Sequence, residues 1–401
     1  MAQWQKTHIQ RDNGMMAEAQ APVIISASRS TDIPAFYADW FFHRLKVGYS
    51  AWTNPFNGVK SFVSYEKCRF IVFWSKNPKP LLDHLDELKE RNIGCYIQYT
   101  LNDYEAEKLE LRVPALNERI DTFKQLVDKL GKGRVIWRFD PLILTDQISL
   151  DDLLRKVEYI GDQLWGYTEK LVFSYADIAL YKKVKANLDK SHVNYTKWTV
   201  DQMEEFAQRL SELNQKWHYQ LTTCGEKIGL APYGIQHNHC VDDDLMIRFA
   251  HHDKALMDFL GVEIKAIENS LFGTEPIPAN AIMLSETQYA LKKKDNRDKG
   301  QRQFCGCMES KDIGEYNTCP HLCEYCYANA SKEVVQKKRA KHFDNPTTET
   351  ISRILNRITH LLFNINKKNS LPPPPDNFPR FLQSAVFSGA FHRKIVCLQR
   401  I

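Results

Sequence analysis

Between Val23 and about Asn269 the chain alternates short β-rich runs with longer helical patterns, and no other feature restricts the fold as much. The strand candidates are Val23–Ala27, Phe70–Trp74, Cys95–Thr100, Arg134–Phe139, Leu171–Tyr175 and Trp217–Thr222. Each is rich in β-branched and aromatic residues and ends in polar, Gly or Pro punctuation. Helical patterns lie between them at Ala35–Leu45, Pro80–Arg91, Ala115–Leu130, Leu150–Leu164 and Val200–Gln215. In the last, Met203, Phe206, Leu210 and Leu213 recur every three or four residues and so line one helix face. Repeated strand–helix units imply parallel strands joined by crossover helices, hence an α/β barrel or a doubly wound sheet. No glycine-rich dinucleotide fingerprint follows the first strand. The expectation is therefore an α/β fold built on a TIM-like (β/α) barrel, partial or permuted, over residues 23–290, with an open sheet as the alternative.

Three regions fall outside this pattern. Residues 1–22 read as a polar leader, with Met15-Met16 just before the first strand. Residues 291–345 form a cysteine-rich segment entered through a charged stretch, Leu291 to Phe304, of the kind usually found as a solvated loop. The tail 346–401 holds one helical pattern, Thr350–Phe363, then the spacer Pro372–Pro375 and a short apolar end, and reads as peripheral. No apolar run approaches the ~20 residues that span a bilayer, and the first twenty residues lack a secretory-type apolar stretch. The expectation is a cytoplasmic protein without a membrane partner. A net charge of +5 over 401 residues argues neither for nor against nucleic acid.

The cysteines point to metal. Five of the ten fall within Cys305 to Cys326, and such clustering without a secretory context favours metal ligands over disulfides. Cys319-Pro-His-Leu-Cys323-Glu-Tyr-Cys326 spaces three thiols as Cys-x3-Cys-x2-Cys. A [4Fe–4S] cluster takes four cysteines, so a set of three leaves one iron open for a ligand. The spacing, with Tyr325 before the last cysteine, resembles the signature of radical S-adenosylmethionine enzymes. That resemblance implies a cluster whose open iron is chelated by S-adenosylmethionine, and reductive cleavage of its sulfonium to a 5′-deoxyadenosyl radical by an external electron donor. A zinc site using Cys305, Cys307 and two downstream cysteines is the competing reading, since thiolates suit both metals.

A longer resemblance surrounds the motif. The stretch Cys305-Gly-Cys307-Met-Glu-Ser310-Lys-Asp312-Ile-Gly314-Glu-Tyr316-Asn317-Thr318-Cys319 runs into the motif and on to Tyr327-Ala328-Asn329. Upstream stand Ile25-Ser26-Ala27-Ser28-Arg29-Ser30-Thr31-Asp32-Ile33-Pro34-Ala35-Phe36-Tyr37, Asn54-Pro55-Phe56-Asn57, Val72-Phe73-Trp74-Ser75-Lys76-Asn77-Pro78 and Ile136-Trp137-Arg138-Phe139-Asp140-Pro141. Together these blocks, over roughly 23–345, resemble domain-of-unknown-function family 1848, noted for a C-terminal cysteine cluster similar to the radical S-adenosylmethionine one. The resemblance implies a cluster but names no reaction. In radical S-adenosylmethionine enzymes the motif usually follows the first barrel strand, whereas here the strands precede it. Either the barrel is permuted or a different fold carries a similar cluster.

In parallel α/β folds the chemistry gathers at the carboxyl ends of the strands. Those ends carry Arg29, Lys76 and Arg138, three cations suited to the carboxylate of S-adenosylmethionine, a phosphate or a nucleic-acid backbone, and also Glu226. The plainer reading pairs Arg138 with Asp140 and Arg29 with Asp32. Asp32, just before Ile33-Pro34, reads as a helix N-cap. Cys224, Cys240, Cys305 and Cys307 are four cysteines beyond the motif, the ligand count of a closed second iron–sulfur or zinc centre. Cys224 and Cys240 as buried hydrophobes are the alternative. Cys68, Cys95 and Cys397 read as structural, Trp52, Trp74 and Trp137 as core, and His237 and His239 as solvated. The functional expectation is an iron–sulfur protein of radical S-adenosylmethionine type with an unknown substrate. The alternative is a non-catalytic zinc- or cluster-stabilised binding protein, with nucleic acid as its candidate partner.

Overall fold

A computed structural model describes residues 4–54, 58–267, 269–270, 273–274 and 276–352. Along the chain come β1 (Lys6–Gln10), β2 (Met16–Gln20), β3 (Ile24–Ala27), α1 (Ile33–Phe36), α2 (Ala38–Val47), β4 (Tyr49–Thr53), β5 (Lys60–Ser64) and β6 (Phe70–Ser75). Then follow α3 (Leu85–Glu90), β7 (Gly94–Thr100), α4 (Leu116–Leu130), β8 (Val135–Leu142), α5 (Leu150–Leu164), β9 (Lys170–Tyr175), α6 (Lys182–Lys190) and α7 (Val200–Asn214). The carboxyl half adds β10 (Gln220–Thr223), β11 (Gln236–His237), α8 (Asp243–Ala250), α9 (Lys254–Leu260), β12 (Lys311–Asp312) and α10 (Lys332–Asp344).

Eight of these strands form one parallel sheet, in the order β12-β3-β6-β7-β8-β9-β10-β11. Apart from β12, each new strand is added beside its predecessor, as strand–helix repeats dictate. Side chains alternate between two buried faces, which explains the near-continuous apolar character of the strands. Ile25, Ile71, Phe73, Ile97, Trp137 and Phe173 pack with the crossover helices. Ile24, Phe70, Val72, Tyr96, Ile136 and Val172 face the other way, onto α8, α9, Cys240, Cys305 and Cys307. The sheet curls around this second core. Although β8, β9 and β10 separate β7 from β11, Tyr96 Oη and Gln98 Nε2 of β7 donate to the Cys240 carbonyl at 2.9 and 2.8 Å. The edge strands β11 and β12 do not pair among the described residues, so the sheet is not closed.

The α/β alternation is as read from the sequence, with local differences. The Ala35–Leu45 pattern divides at Tyr37, whose φ of −136° leaves the helical region between α1 and α2. The Trp217–Thr222 strand starts late, because His218 adopts a φ of 58° that no strand accommodates. Residues 1–22 carry the β1–β2 hairpin, which joins a second sheet in the order β1-β2-β5-β4. The beginning of the 346–401 segment packs there too: Ala51 N donates to the Glu349 carbonyl at 2.7 Å. A further antiparallel sheet, of Val262–Ala266, Gln288–Lys292 and Ile282–Met283, occupies the end of the 23–290 region. The rest of the Thr350–Phe363 helical pattern, the proline spacer and Cys397 lie outside the described residues. No described helix is long and apolar enough to cross a membrane.

Candidate metal centres at the carboxyl edge of the sheet

The Cys319–Cys326 loop is clasped to the ends of β3 and β6 by one carboxylate. Asp32 caps α1 by accepting from Ala35 N at 2.9 Å, and also accepts from Ser75 Oγ (2.7 Å) and Lys76 N (2.8 Å). Its other face meets His321 Nε2 at 2.8 Å, inside the cysteine motif. The cap read from the sequence is therefore also an anchor for the loop. A second clasp comes from residues 109–112. Glu110 forms a β-bridge with Cys323, Glu324 N donates to the Leu109 carbonyl (2.9 Å), and Arg112 N to the His321 carbonyl (3.1 Å). Asn329 Nδ2 and Asn187 Nδ2 hold the carbonyls of Cys319 and Cys326 at 2.9 and 3.0 Å. Leu322 is forced into the left-handed region at φ 56°, which an L-residue adopts only when its surroundings impose it.

Lys76 enters beneath this loop. Its ammonium donates to Glu110 Oε1 at 2.7 Å and to Tyr325 Oη at 2.9 Å, and Tyr325 Oη also donates to Glu110. Burial opposes the charge on Lys76, but the carboxylate of Glu110 and the sulfur of Cys323 outweigh it and hold the ammonium charged. Glu110 stays ionised for the matching reason: Lys76 and Arg119 overcome its burial. Cys319, Cys323 and Cys326 are partly buried, and burial pushes all three thiols up, reinforced at Cys319 and Cys323 by the neighbouring thiols. Lys76 pulls the other way on Cys323 and Cys326.

The other four cysteines meet on the inner face of the sheet. Cys224 Sγ lies 3.4 Å from Cys240 Sγ. Cys307 is an electrostatic neighbour of both Cys240 and Cys305. Cys240 Sγ accepts from Arg138 Nη1 and Asn238 Nδ2, each at 3.1 Å, and Cys307 Sγ accepts from Val241 N at 3.4 Å. The neighbouring thiols hold Cys240 well below the usual thiol range and Cys305 down at about 6. The indole of Trp74 carries Arg29 on its ring at 5.2 Å and Arg138 at 5.3 Å. Arg138 is ion-paired with Asp140, as one sequence reading had it. Arg29 instead takes Asp312, through its backbone N–H at 2.7 Å, in place of the Asp32 suggested by sequence proximity. Asp32 is already occupied.

The two cysteine sets share one mouth. Tyr327, next to Cys326, donates to the Arg29 carbonyl, while the Arg29 guanidinium lies beside Cys307, Cys240 and Cys305. The rings of Tyr181 and Tyr327 are 6.1 Å apart, and Arg302 Nη1 donates to Tyr181 Oη at 3.4 Å. Glu226 lies at this edge, accepting from Tyr175 N at 3.0 Å, and burial pushes its carboxyl up to about 7. Of the four residues expected to bind a cofactor, Arg29 and Arg138 stand with the second cysteine set, Lys76 with the first, and Glu226 at the rim. Arg302, Asp312, Glu110 and His321 were given no role from the sequence, and only a fold shows that they converge with Tyr325. Among the described residues, the ligand-type groups mutually within 4.8 Å are His239, Asp242 and Asp243. Asp242 there caps α8 and pairs with Lys170 at 3.3 Å, and neither cysteine set is that tightly gathered. Cys68 and Cys95 are buried with their thiols pushed up by burial, consistent with structural roles.

A model of the family described as Domain of unknown function (DUF1848) matches residues 24–328. The chain belongs to that family. The matched span begins with β3 and ends two residues past Cys326, so both cysteine sets and the strands that carry them lie within it. No curated protein matches the chain, and no solved structure matches it.

Proposed function

We propose that the chain is an iron–sulfur protein resembling radical S-adenosylmethionine enzymes, with Cys319, Cys323 and Cys326 as ligands of a [4Fe–4S] cluster. The observation that carries this reading is the Cys319–Cys326 loop. Three thiols share it, near enough that Cys326 raises the pKa of both Cys319 and Cys323. That donor set fits a cluster, because each cysteine then serves a different iron and the sulfurs stand farther apart than around one ion. When bound, such a cluster would supply one-electron chemistry to a ligand on its open iron.

The chain's own residues do the positioning. Asp32 and the 109–112 segment fix the loop, and Lys76 places a positive charge where the thiolates need it. Tyr181, Tyr327, Arg302 and Glu226 border the mouth where S-adenosylmethionine and substrate would enter. Glu226 holds a proton on its carboxyl up to about pH 7, which suits it to meet a carboxylate or to donate a hydrogen bond. The sheet itself reads as a (β/α) barrel with a seam, a view supported by its sequential parallel order and by the bonds from β7 to Cys240.

The test is anaerobic quantitation of iron and sulfide with electron paramagnetic resonance, with and without S-adenosylmethionine. The expected result is about four irons per chain on this centre, a reduced signal perturbed by the ligand, and 5′-deoxyadenosine on reduction. In Cys323→Ala the iron content should fall at least several-fold. A colourless, iron-free protein would overturn the reading. A cluster signal that ignores S-adenosylmethionine would overturn its cofactor half.

A further inference from the structure

Four cysteines remain outside the proposed cluster, and the fold collects them from three separate stretches. Cys224 follows β10, Cys240 follows β11, and Cys305 and Cys307 precede β12. We propose that Cys224, Cys240, Cys305 and Cys307 hold a single tetrahedral zinc ion that staples the two unpaired edges of the sheet, β11 and β12. One backbone hydrogen bond, Met308 N to the Val241 carbonyl at 2.9 Å, already crosses there. The ion would add four bonds at the same place.

One pair of this set already stands near zinc spacing, although the four sulfurs are not all gathered within 4.8 Å of one another. Zinc–sulfur bonds of about 2.3 Å in a tetrahedron put neighbouring sulfurs about 3.8 Å apart. Cys224 and Cys240 are 3.4 Å apart, and Cys307 is an electrostatic neighbour of both Cys240 and Cys305. A four-iron cluster would hold these sulfurs farther apart. The four form a string whose ends are Cys224 and Cys305, so closing the tetrahedron takes rotation of those two side chains.

The surroundings are those of metal-bound thiolates. Arg138, Asn238 and the Val241 amide aim N–H donors at Cys240 and Cys307, the arrangement by which outer groups orient ligands and disperse their charge. Four thiolates on Zn²⁺ leave two net negative charges, which in a buried site need compensation. Arg29, whose Nη2 is buried with no hydrogen-bond partner in the structure, and Arg138, which is shared with Asp140, place positive charge beside the sulfurs. Zinc has no redox chemistry, so the site would be a structural staple.

The experiment uses the full chain, purified anaerobically and supplied with zinc, and reads metal content and zinc-edge X-ray absorption. One zinc per chain with four sulfurs at about 2.3 Å is expected. Zinc should fall at least tenfold in Cys240→Ala and remain in Cys323→Ala, which separates this site from the iron centre. Chelating the zinc should lower the melting temperature and speed amide exchange in β11 and β12. The absorption spectrum of the unaltered protein decides even if Cys240→Ala fails to fold. Nitrogen or oxygen ligands, no bound zinc, zinc lost from Cys323→Ala, or four irons lost from Cys240→Ala would each overturn the proposal.

Discussion

At the scale of single residues, one short acidic side chain does more than its position suggests. Asp32 would be an ordinary N-cap if α1 were all it touched. Its carboxylate instead joins Ser75, the Lys76 amide and His321, so β3, β6 and the cysteine loop share one anion. Losing a cap costs about 1 kcal/mol, and each buried donor left without a partner costs roughly 1–3 kcal/mol more. Asp32→Ala should therefore destabilise by about 3 kcal/mol or more in denaturant unfolding. It should also weaken retention of whatever metal the loop holds. A loss below 1 kcal/mol would reduce Asp32 to its capping role. The cap was legible in the sequence because Asp-Ile-Pro is a local signal. The contact with His321 spans 289 positions and was not.

At the scale of elements, the helices that carry the sheet are set by local rules and then by close packing. Ser149 and Thr199 close capping boxes on α5 and α7, and both helices begin where those signals stand in the sequence. Packing adds a demand that the pattern hides. Gly161 lies in the interior of α5, where glycine is normally about 1 kcal/mol worse than alanine. A Cβ built there would lie 2.5 Å from the Trp217 ring. Gly161→Ala should therefore reverse the usual sign and destabilise by about 1–3 kcal/mol through overpacking. Thermal unfolding checks it, and a raised melting temperature would mean that Trp217 yields freely. The helical periodicity of α5 is visible to the eye. The ring that fills the gap above Gly161 comes from beyond the next two helices, α6 and α7.

At the scale of the whole molecule, residues from opposite ends of the sequence hold the second sheet together. Glu349 accepts from Arg11 at 3.0 Å, Lys60 at 2.7 Å and Tyr49 at 2.9 Å, and so joins β1–β2, β4–β5 and the segment after α10. Burial opposes its charge, but these hydrogen bonds and the Lys60 charge outweigh it and bring the carboxyl down to about 2 from an ordinary 4.5. A carboxyl depressed on folding stabilises above its unfolded pKa, and that contribution is lost as pH falls through the folded value. Glu349→Gln should then cost about 2 kcal/mol at pH 7, allowing for solvent screening of Lys60. The gap from the parent should narrow between pH 4.5 and about 2. Urea unfolding of both proteins at pH 7 and pH 3 tests this, and an equal gap at the two pH values would refute it.

The alternation of strand and helix, and the Cys-x3-Cys-x2-Cys spacing of Cys319, Cys323 and Cys326, are properties of the sequence alone. They follow from side-chain periodicity and from spacing over a few residues, which neighbouring positions determine. Which cation stands beside which cysteine set was decided only by the tertiary structure. Arg29, Lys76 and Arg138 look alike at three strand ends, yet the curl of the sheet turns Arg29 and Arg138 to the Cys240 side and Lys76 to Cys323. The reason is physical: a buried charge must find a partner, and Glu110 for Lys76 and the Cys240 sulfur for Arg138, which adds to the local Asp140, lie on segments that only folding brings within reach.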